Sequence, residues 1–211
     1  MSGNRRLGRT DGRVVVCVCG LAGSGKSTLG RKLARRYGFK YYSGGDALKA
    51  LALDEGYRQI KRGWWESPEG MRFLERRRRD SEFDRVIDAK LLEFAREGNV
   101  VLDSWTMPWL LDRGFKVWLE ASPERRAKRI AKRDGLGFEE ALKALRVKES
   151  RTRSIYRKLY GFDLGGDLEP FHLILDTDNL GAGEVFSVLC MVMDNCLLRQ
   201  QQRRSGQEHD S

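Results

Sequence analysis

The sequence predicts an α/β protein with a parallel sheet, and three observations carry that expectation. Short apolar runs at residues 14–19, 39–42, 100–103, 115–119 and 172–176 alternate with longer stretches of helical periodicity, the pattern of βαβ units. Several of those stretches open on helix-start signals, Ser67-Pro68, Ser81 and Ser122-Pro123; a hydroxyl caps the first turn and proline suits the first helical position. A glycine-rich segment stands directly behind the first apolar run, at the kind of strand-to-helix turn where such sheets bind ligands.

Taken in order, residues 14–19 form the first strand and residues 20–27 a loop. The helix starting near Lys26 carries Leu29, Leu33 and Ala34 on one face and stops at Gly38. A second strand at 39–42 leads through Ser43-Gly44-Gly45-Asp46 into a helix bearing Lys49. Residues 56–80 follow as a long insert containing Trp64-Trp65 and the arginine run 76–79. Paired tryptophans anchor such an insert or stack on a base. Ser81 then opens a helix whose face Phe83, Ile87, Leu91 and Phe94 ends at Gly98. Beyond the strands at 100–103 and 115–119, one helix closes over 129–134, a second spans 138–160, and a third at 184–198 follows the last strand. Residues 1–12 and 200–211 are polar and expected as flexible tails, leaving 13–199 as a single domain.

Lys and Arg number 40 against 30 Asp and Glu, a formal charge of +10 that favours anionic partners. Nucleotides and nucleic acids both qualify, and surface ion-pair networks give the same balance. Cys17, Cys19, Cys190 and Cys196 form no C-x-x-C pair, and His172 and His209 add no cluster. That argues against a zinc site and for apolar packing in a reducing cytosol. No apolar stretch approaches the ~18 residues of a membrane span. A cytoplasmic monomer acting on small nucleotides is expected, with nucleic acid a lesser expectation and no membrane partner.

The chemistry begins with Gly20-Leu21-Ala22-Gly23-Ser24-Gly25-Lys26-Ser27, a G-x-x-x-x-G-K-[ST] phosphate loop in its strand-loop-helix context. Glycines bring backbone N–H groups onto phosphates, Lys26 reaches the β and γ phosphates, and Ser27 offers a hydroxyl to magnesium. ATP and Mg2+ are therefore expected. Ser43, Gly45 and Lys49 suit a second phosphate, although Ser43 equally suits a helix N-cap. Asp103, ending an apolar strand, is the expected organiser of the magnesium shell. Arg129 and Arg133 lie four apart in a basic segment that continues through Lys148, Arg153 and Arg157. Such a run is either a solvated face or a lid that neutralises the transferred phosphoryl group. Asp84 and Asp88, one helical turn apart, either accept from an exocyclic amine or stabilise the helix dipole.

Residues 14–198 resemble the nucleoside monophosphate kinases, most closely the archaeal-type cytidylate kinases. GLAGSGKS resembles the family phosphate loop, and YYSGGDALK its acceptor-side stretch. NVVLDS resembles the third strand with its magnesium carboxylate, RIAKRDG and RSIYRKLYGFD the segments around the lid, and LILDT the last strand. The resemblance implies a three-layer P-loop fold with a parallel five-stranded sheet, an acceptor-binding insert over 44–98 and a lid region over 129–163. It also implies ATP-dependent phosphorylation of a nucleoside monophosphate, most closely CMP, with dCMP or UMP as relatives; an RNA or ribosome-assembly substrate is the alternative. By position it assigns Gly20, Ala22, Gly23, Ser24, Gly25, Lys26, Ser27 and Thr28 to ATP, and Ser43, Gly45 and Lys49 to the acceptor monophosphate; Asp84, Asp103 and Trp105 are expected beside them on the acceptor side. Lys26, Arg129, Arg133 and Arg153 become the catalytic cations. Where the family commonly has an acceptor-phosphate arginine, this chain has Trp105. Replacement charge is expected from Lys49 and from one of Arg76, Arg77, Arg78 and Arg79, because four consecutive residues point around a helix.

Overall fold

The computed structural model describes residues 9–10 and 13–198. Five strands, β2 (Arg13–Cys19), β3 (Lys40–Ser43), β4 (Val100–Asp103), β5 (Phe115–Glu120) and β6 (Leu173–Asp176), form a parallel sheet in the order β3-β4-β2-β5-β6. Of the segment expected as an N-terminal tail, Arg9–Thr10 is instead a short strand, β1, paired antiparallel with β2 so that Arg9 faces Val14 and Thr10 faces Arg13. The rest of that segment and residues 200–211 lie outside the described residues.

Strand β2 is central because it is apolar on both faces, buried from Val14 through Cys19, as a strand between two helical layers must be. On one side Val16 and Val18 pack against Leu29 and Leu33 of α1 (Lys26–Tyr37) and against Val185 and Leu189 of α8 (Ala182–Val192). On the other, Val15 and Cys17 meet Leu91 and Ala95 of α4 (Glu82–Glu97). Each fully buried leucine contributes roughly 1.5–3 kcal/mol, and Leu33→Ala would cost about 2–5 kcal/mol with its cavity. Cys17, Cys19 and Cys190 are buried free thiols within these layers. Helix α8 begins two residues before the expected 184, where the Glu184 carboxylate accepts from Gly181 N–H at 2.6 Å, and it passes into a π-helical turn at Met193–Leu198.

The parallel register sets the site. Asp103 lies beside Val18 on one flank and Ser43 on the other, and Cys19 beside Trp118. All these carboxyl ends therefore open onto one edge of the sheet. The connections from β2 and β4 leave in opposite directions, which creates a crevice there.

Over that edge stands the insert: α2 (Gly44–Asp54), a 3-10 turn at Trp64–Glu66, α3 (Pro68–Arg79) and the start of α4. It has its own core of Leu48, Ala52, Trp64, Phe73 and Phe83. Trp64 is its anchor, with the indole N–H donating to Arg58 O at 3.0 Å, while its neighbour Trp65 faces the crevice. A Cβ at Gly70 would sit 2.2 Å from Trp64 O, so only glycine lets α3 cross the 3-10 turn. Helices α6 (Pro123–Asp134) and α7 (Phe138–Tyr160) close the other side. The short helix α5 (Met107–Leu110) lies in a stretch that carries no sequence signal of length; it forms because Ser104 Oγ accepts from Thr106 N–H and Met107 N–H at 3.1 and 3.2 Å.

Candidate active site

The loop between β2 and α1 is built for an anion. Gly20 has φ +147°, and a Cβ there would lie 2.5 Å from Leu119 O and 2.6 Å from Ser24 Oγ; any side chain would break the turn. Helix α1 begins at Gly25 with no side-chain cap and no acidic residue in its first turn. Its N–H groups and its dipole are left for a ligand. Ser24 Oγ is buried with no hydrogen-bond partner, an orphan that a phosphate oxygen would satisfy. Ser27 and Asp103 line the same crevice. Tyr41 Oη donates to Asp103 Oδ2 at 2.9 Å and is the carboxylate's one hydrogen-bond donor among the described residues. A hydroxyl and one carboxylate fit magnesium, which keeps most of its shell for waters and phosphate oxygens.

Cations converge on this loop. Lys26 Nζ stands over the Trp105 ring at 5.2 Å, and the Trp105 indole N–H donates to Gly20 O at 2.6 Å. Thus the tryptophan is a platform under the phosphate-loop lysine. Arg129, on α6, reaches Gly23 O and Ser24 O at 3.4 Å and Thr177 O at 2.9 Å. Lys148, on α7, lies 5.0 Å from the Trp65 ring and 5.9 Å from the Trp105 ring, with Glu66 at 3.5 Å. Burial pushes the Lys148 ammonium down to about 8; Glu66 opposes that shift, and Lys26 and Arg133 add to it. Arg133 bridges Asp134 and, at 3.3 Å, the same Glu66, so the buried Glu66 carboxylate ties the insert to both α6 and α7.

At the far end of the crevice the walls become buried and polar. Arg77 and Asp84 form a two-point ion pair, and Tyr156 Oη lies 3.4 Å from the guanidinium. Asp88, one turn along α4, accepts from Thr106 Oγ1 at 2.5 Å and Tyr160 Oη at 2.6 Å. Burial pushes the Asp88 carboxyl up to about 6 against those two hydrogen bonds, with Asp84 adding to the rise. A single cavity of about 1000 Å³ runs from the phosphate loop to these carboxylates, within the range of small-ligand sites.

Most of the sequence-predicted site residues meet here. Residues Ala22 to Thr28, with Ser43, Gly45, Asp84, Asp103, Trp105, Arg129 and Arg133, line this cavity, and Gly20 joins through its bond to Trp105. Ser43 also caps α2, accepting from Asp46 N–H at 3.1 Å, so the N-cap reading of that residue holds. Two expected residues are not brought in. Lys49 is not among the residues that line the cavity, although it stands one turn along α2 from Gly45, which does. Arg153 lies five residues past Lys148, about 140° around α7, and lines a separate cavity on the outside of that helix. Ala141, Leu145, Thr152 and Ile155 bury the inner face and fix that rotation. Lys148 is the cation of α7 that lines the active-site cavity. Lys148 and Glu66 were given no individual site role by sequence, and Asp88 only as one of two readings shared with Asp84; the 3.6-residue period of α7 with its apolar set at 141, 145, 152, 155 and 156 is the signal that separates Lys148 from Arg153.

Comparison with known proteins agrees with this geometry. Residues 15–179 match the model of the cytidylate kinase-like family. A cytidylate kinase of Pyrococcus furiosus is 35% identical over 185 residues, covering 87% of this chain and 90% of the relative. One of Ignicoccus hospitalis is 37% identical over 177 residues, covering 83% and 96%. Among solved structures, a shikimate kinase from Acinetobacter baumannii in complex with shikimate superposes with a TM-score of 0.52 at 22% identity, covering 88% of this chain and 96% of that one, a likeness of fold. With a family match over most of its length and curated relatives above 30% identity, the chain belongs to the cytidylate kinase-like family.

Proposed function

We propose that this enzyme transfers the γ-phosphoryl group of ATP to CMP. The observation that carries the reading is the single cavity joining the phosphate loop to the buried Arg77, Asp84 and Asp88 cluster, with Lys26, Arg129 and Lys148 between its ends. Cytosine presents an exocyclic amine donor where uracil presents a carbonyl acceptor. Carboxylate acceptors beside an arginine donor favour cytosine and leave an unmatched acceptor against uracil. The names of the relatives agree, and the alternative of an RNA or ribosome-assembly substrate gains no support from them. A cytoplasmic location is part of the proposal; among the described residues no helix is long and apolar enough to cross a membrane.

No protein nucleophile is needed, because the acceptor phosphate oxygen is already anionic. The phosphate-loop N–H groups and Lys26 hold the donor phosphates, and Arg129 and Lys148 bring positive charge to the transferred group. Arg133 exchanges Glu66 for phosphate as the lid closes, and water is excluded by the walls of α6 and the insert. Ser27 and Asp103 would hold magnesium, which would supply neutralisation of the charge developing on the transferred phosphoryl group.

The experiment is a coupled assay with ATP and magnesium against CMP, dCMP, UMP, AMP and GMP. CMP or dCMP is expected to exceed UMP and AMP by at least ~10-fold in kcat/KM, the discrimination of one buried hydrogen-bonding mismatch. A preference for AMP or UMP, or ATP binding without transfer to any monophosphate, overturns the reading.

A further inference from the structure

We propose that the outer face of α7 carries a second oxyanion site, separate from the active site and suited to a short inorganic phosphate chain. A cavity of about 660 Å³ lies there, lined by Arg146, Arg153, Arg157 and Lys158 with the hydroxyls of Ser150 and Ser154 between them. These residues fall at intervals of three and four along one helix and so share a face. Arg153 and Arg157 stand one helical turn apart, Arg146 lies two turns before Arg153 and Lys158 is next to Arg157, a row of charge that matches a ligand carrying several charges of its own.

The acidic residues of the cavity do not neutralise it. The Glu149 carboxylate is engaged by the buried guanidinium of Arg126. Asp163 pairs with Arg157 at 3.1 Å through its buried Oδ1 and offsets that one charge, while the Arg157 side chain itself is 67% exposed. The remaining cations of the lining are not offset in this way. Among the described residues no ion pair is formed by Arg146, Arg153 or Lys158.

Arg153 is the centre of the site. Its Nε is buried without a hydrogen-bond partner, and its guanidinium is wedged against Gly165, where a Cβ would lie 3.2 Å from Nη2. A buried unsatisfied donor on a charged group is destabilising and calls for an acceptor. The ligand class follows from what the lining lacks. No aromatic or aliphatic side chain lines this cavity, so there is no surface for a base, whereas arginine forks and serine hydroxyls suit phosphate oxygens. A pyrophosphate or tripolyphosphate fits better than a nucleoside.

The test is calorimetric titration of sodium tripolyphosphate into the full chain at physiological ionic strength, with the active site saturated by a non-hydrolysable ATP analogue. One further binding event per chain is expected. The double variant Arg153→Gln, Arg157→Gln, with an unchanged circular dichroism spectrum, should bind at least ~30-fold more weakly, as losing two charge-assisted contacts requires. Absence of binding to the analogue-saturated protein, or equal binding by the double variant, overturns the proposal. So does tighter binding of a single-stranded RNA 12-mer than of tripolyphosphate through the same arginines. Loss of CMP turnover with the second binding event intact would count against the proposed reaction alone.

Discussion

Arg77 and Asp84 meet as a buried ion pair, 3% and 2% exposed, with Nε donating to Oδ2 at 3.0 Å and Nη2 to Oδ1. The pair links α3 to α4, and Tyr156 adds α7. Its neighbours in the arginine run behave differently: Arg76 pairs with Glu55, and Arg78 and Arg79 with Glu75, all at the surface.

Removing one member of a buried pair strands the other charge, which costs about 3–5 kcal/mol. Arg77→Ala is therefore expected to lower unfolding stability by that amount and to raise KM for CMP at least ~10-fold. Arg76→Ala, Arg78→Ala and Arg79→Ala should stay within ~0.5 kcal/mol and leave kinetics unchanged. Urea unfolding and steady-state assays on all four variants decide it. If Arg77→Ala resembles its neighbours, the pair has no special role.

Lys148 is expected to set an alkaline limit on activity. Its ammonium is held down to about 8 by burial, so the charge that faces the phosphates is lost as pH rises through 8. The kcat/KM profile, which reports the free enzyme, should fall above that pH. Lys148→Arg keeps its charge and should move the fall upward; Lys148→Met should show low activity with no such fall. The sign for stability is opposite: between about 8 and the ordinary 10.5 the unfolded chain binds the extra proton, so this group makes stability rise with pH in that window. A parent profile flat to pH 9.5 would sink the assignment.

Asp88 acts at the acid end. Its folded value near 6 lies above the ordinary 3.8, so the folded state takes up a proton between those values. Its contribution is fully present below about pH 4 and is lost as pH rises through 6. Asp88→Asn removes that dependence and should gain on the order of 1–3 kcal/mol relative to the parent between pH 4 and pH 7. Urea unfolding at both pH values measures it. An equal pH dependence in parent and variant places the titration elsewhere.

Much of this architecture was legible because it rests on local rules. The alternation of apolar runs gave the sheet, and glycine spacing gave the loop at residues 20–27, whose geometry depends on few other residues. One inward arginine among four followed from helix geometry alone, though which one required the position of Asp84. Two features were not legible. Short α5 is held by Ser104 hydrogen bonds rather than by periodicity. That Lys148 rather than Arg153 lines the main cavity depends on which face of α7 packs inward, a tertiary choice set by Ala141, Leu145 and Ile155.

Arg129 and Arg133, one turn apart, should separate in kinetics. Arg129 is already bonded to Gly23 O and Thr177 O beside the loop, whereas Arg133 is clasped by Asp134 and Glu66 and must exchange partners. Arg129→Ala is expected to lower kcat by ~100-fold, the scale of a removed electrostatic stabiliser. Arg133→Ala should cost less than ~10-fold, since freeing Glu66 offsets part of the loss. Steady-state kinetics on both variants test the order, and the reverse order refutes it.

Trp105 stands where the family resemblance leads one to expect an arginine, and its role can be split into two contacts. The ring face lies under Lys26, and the indole N–H bonds Gly20 O at 2.6 Å. Trp105→Phe keeps the face and removes the donor, leaving a loop carbonyl without its partner. That should cost about 1–2 kcal/mol in stability and loosen the turn that presents N–H groups to the donor phosphates. KM for ATP should rise several-fold while KM for CMP stays within twofold, roughly the effect of one lost hydrogen bond. The opposite split, with KM for CMP raised and KM for ATP unchanged, would show that the indole serves the acceptor directly and that its bond to Gly20 is incidental.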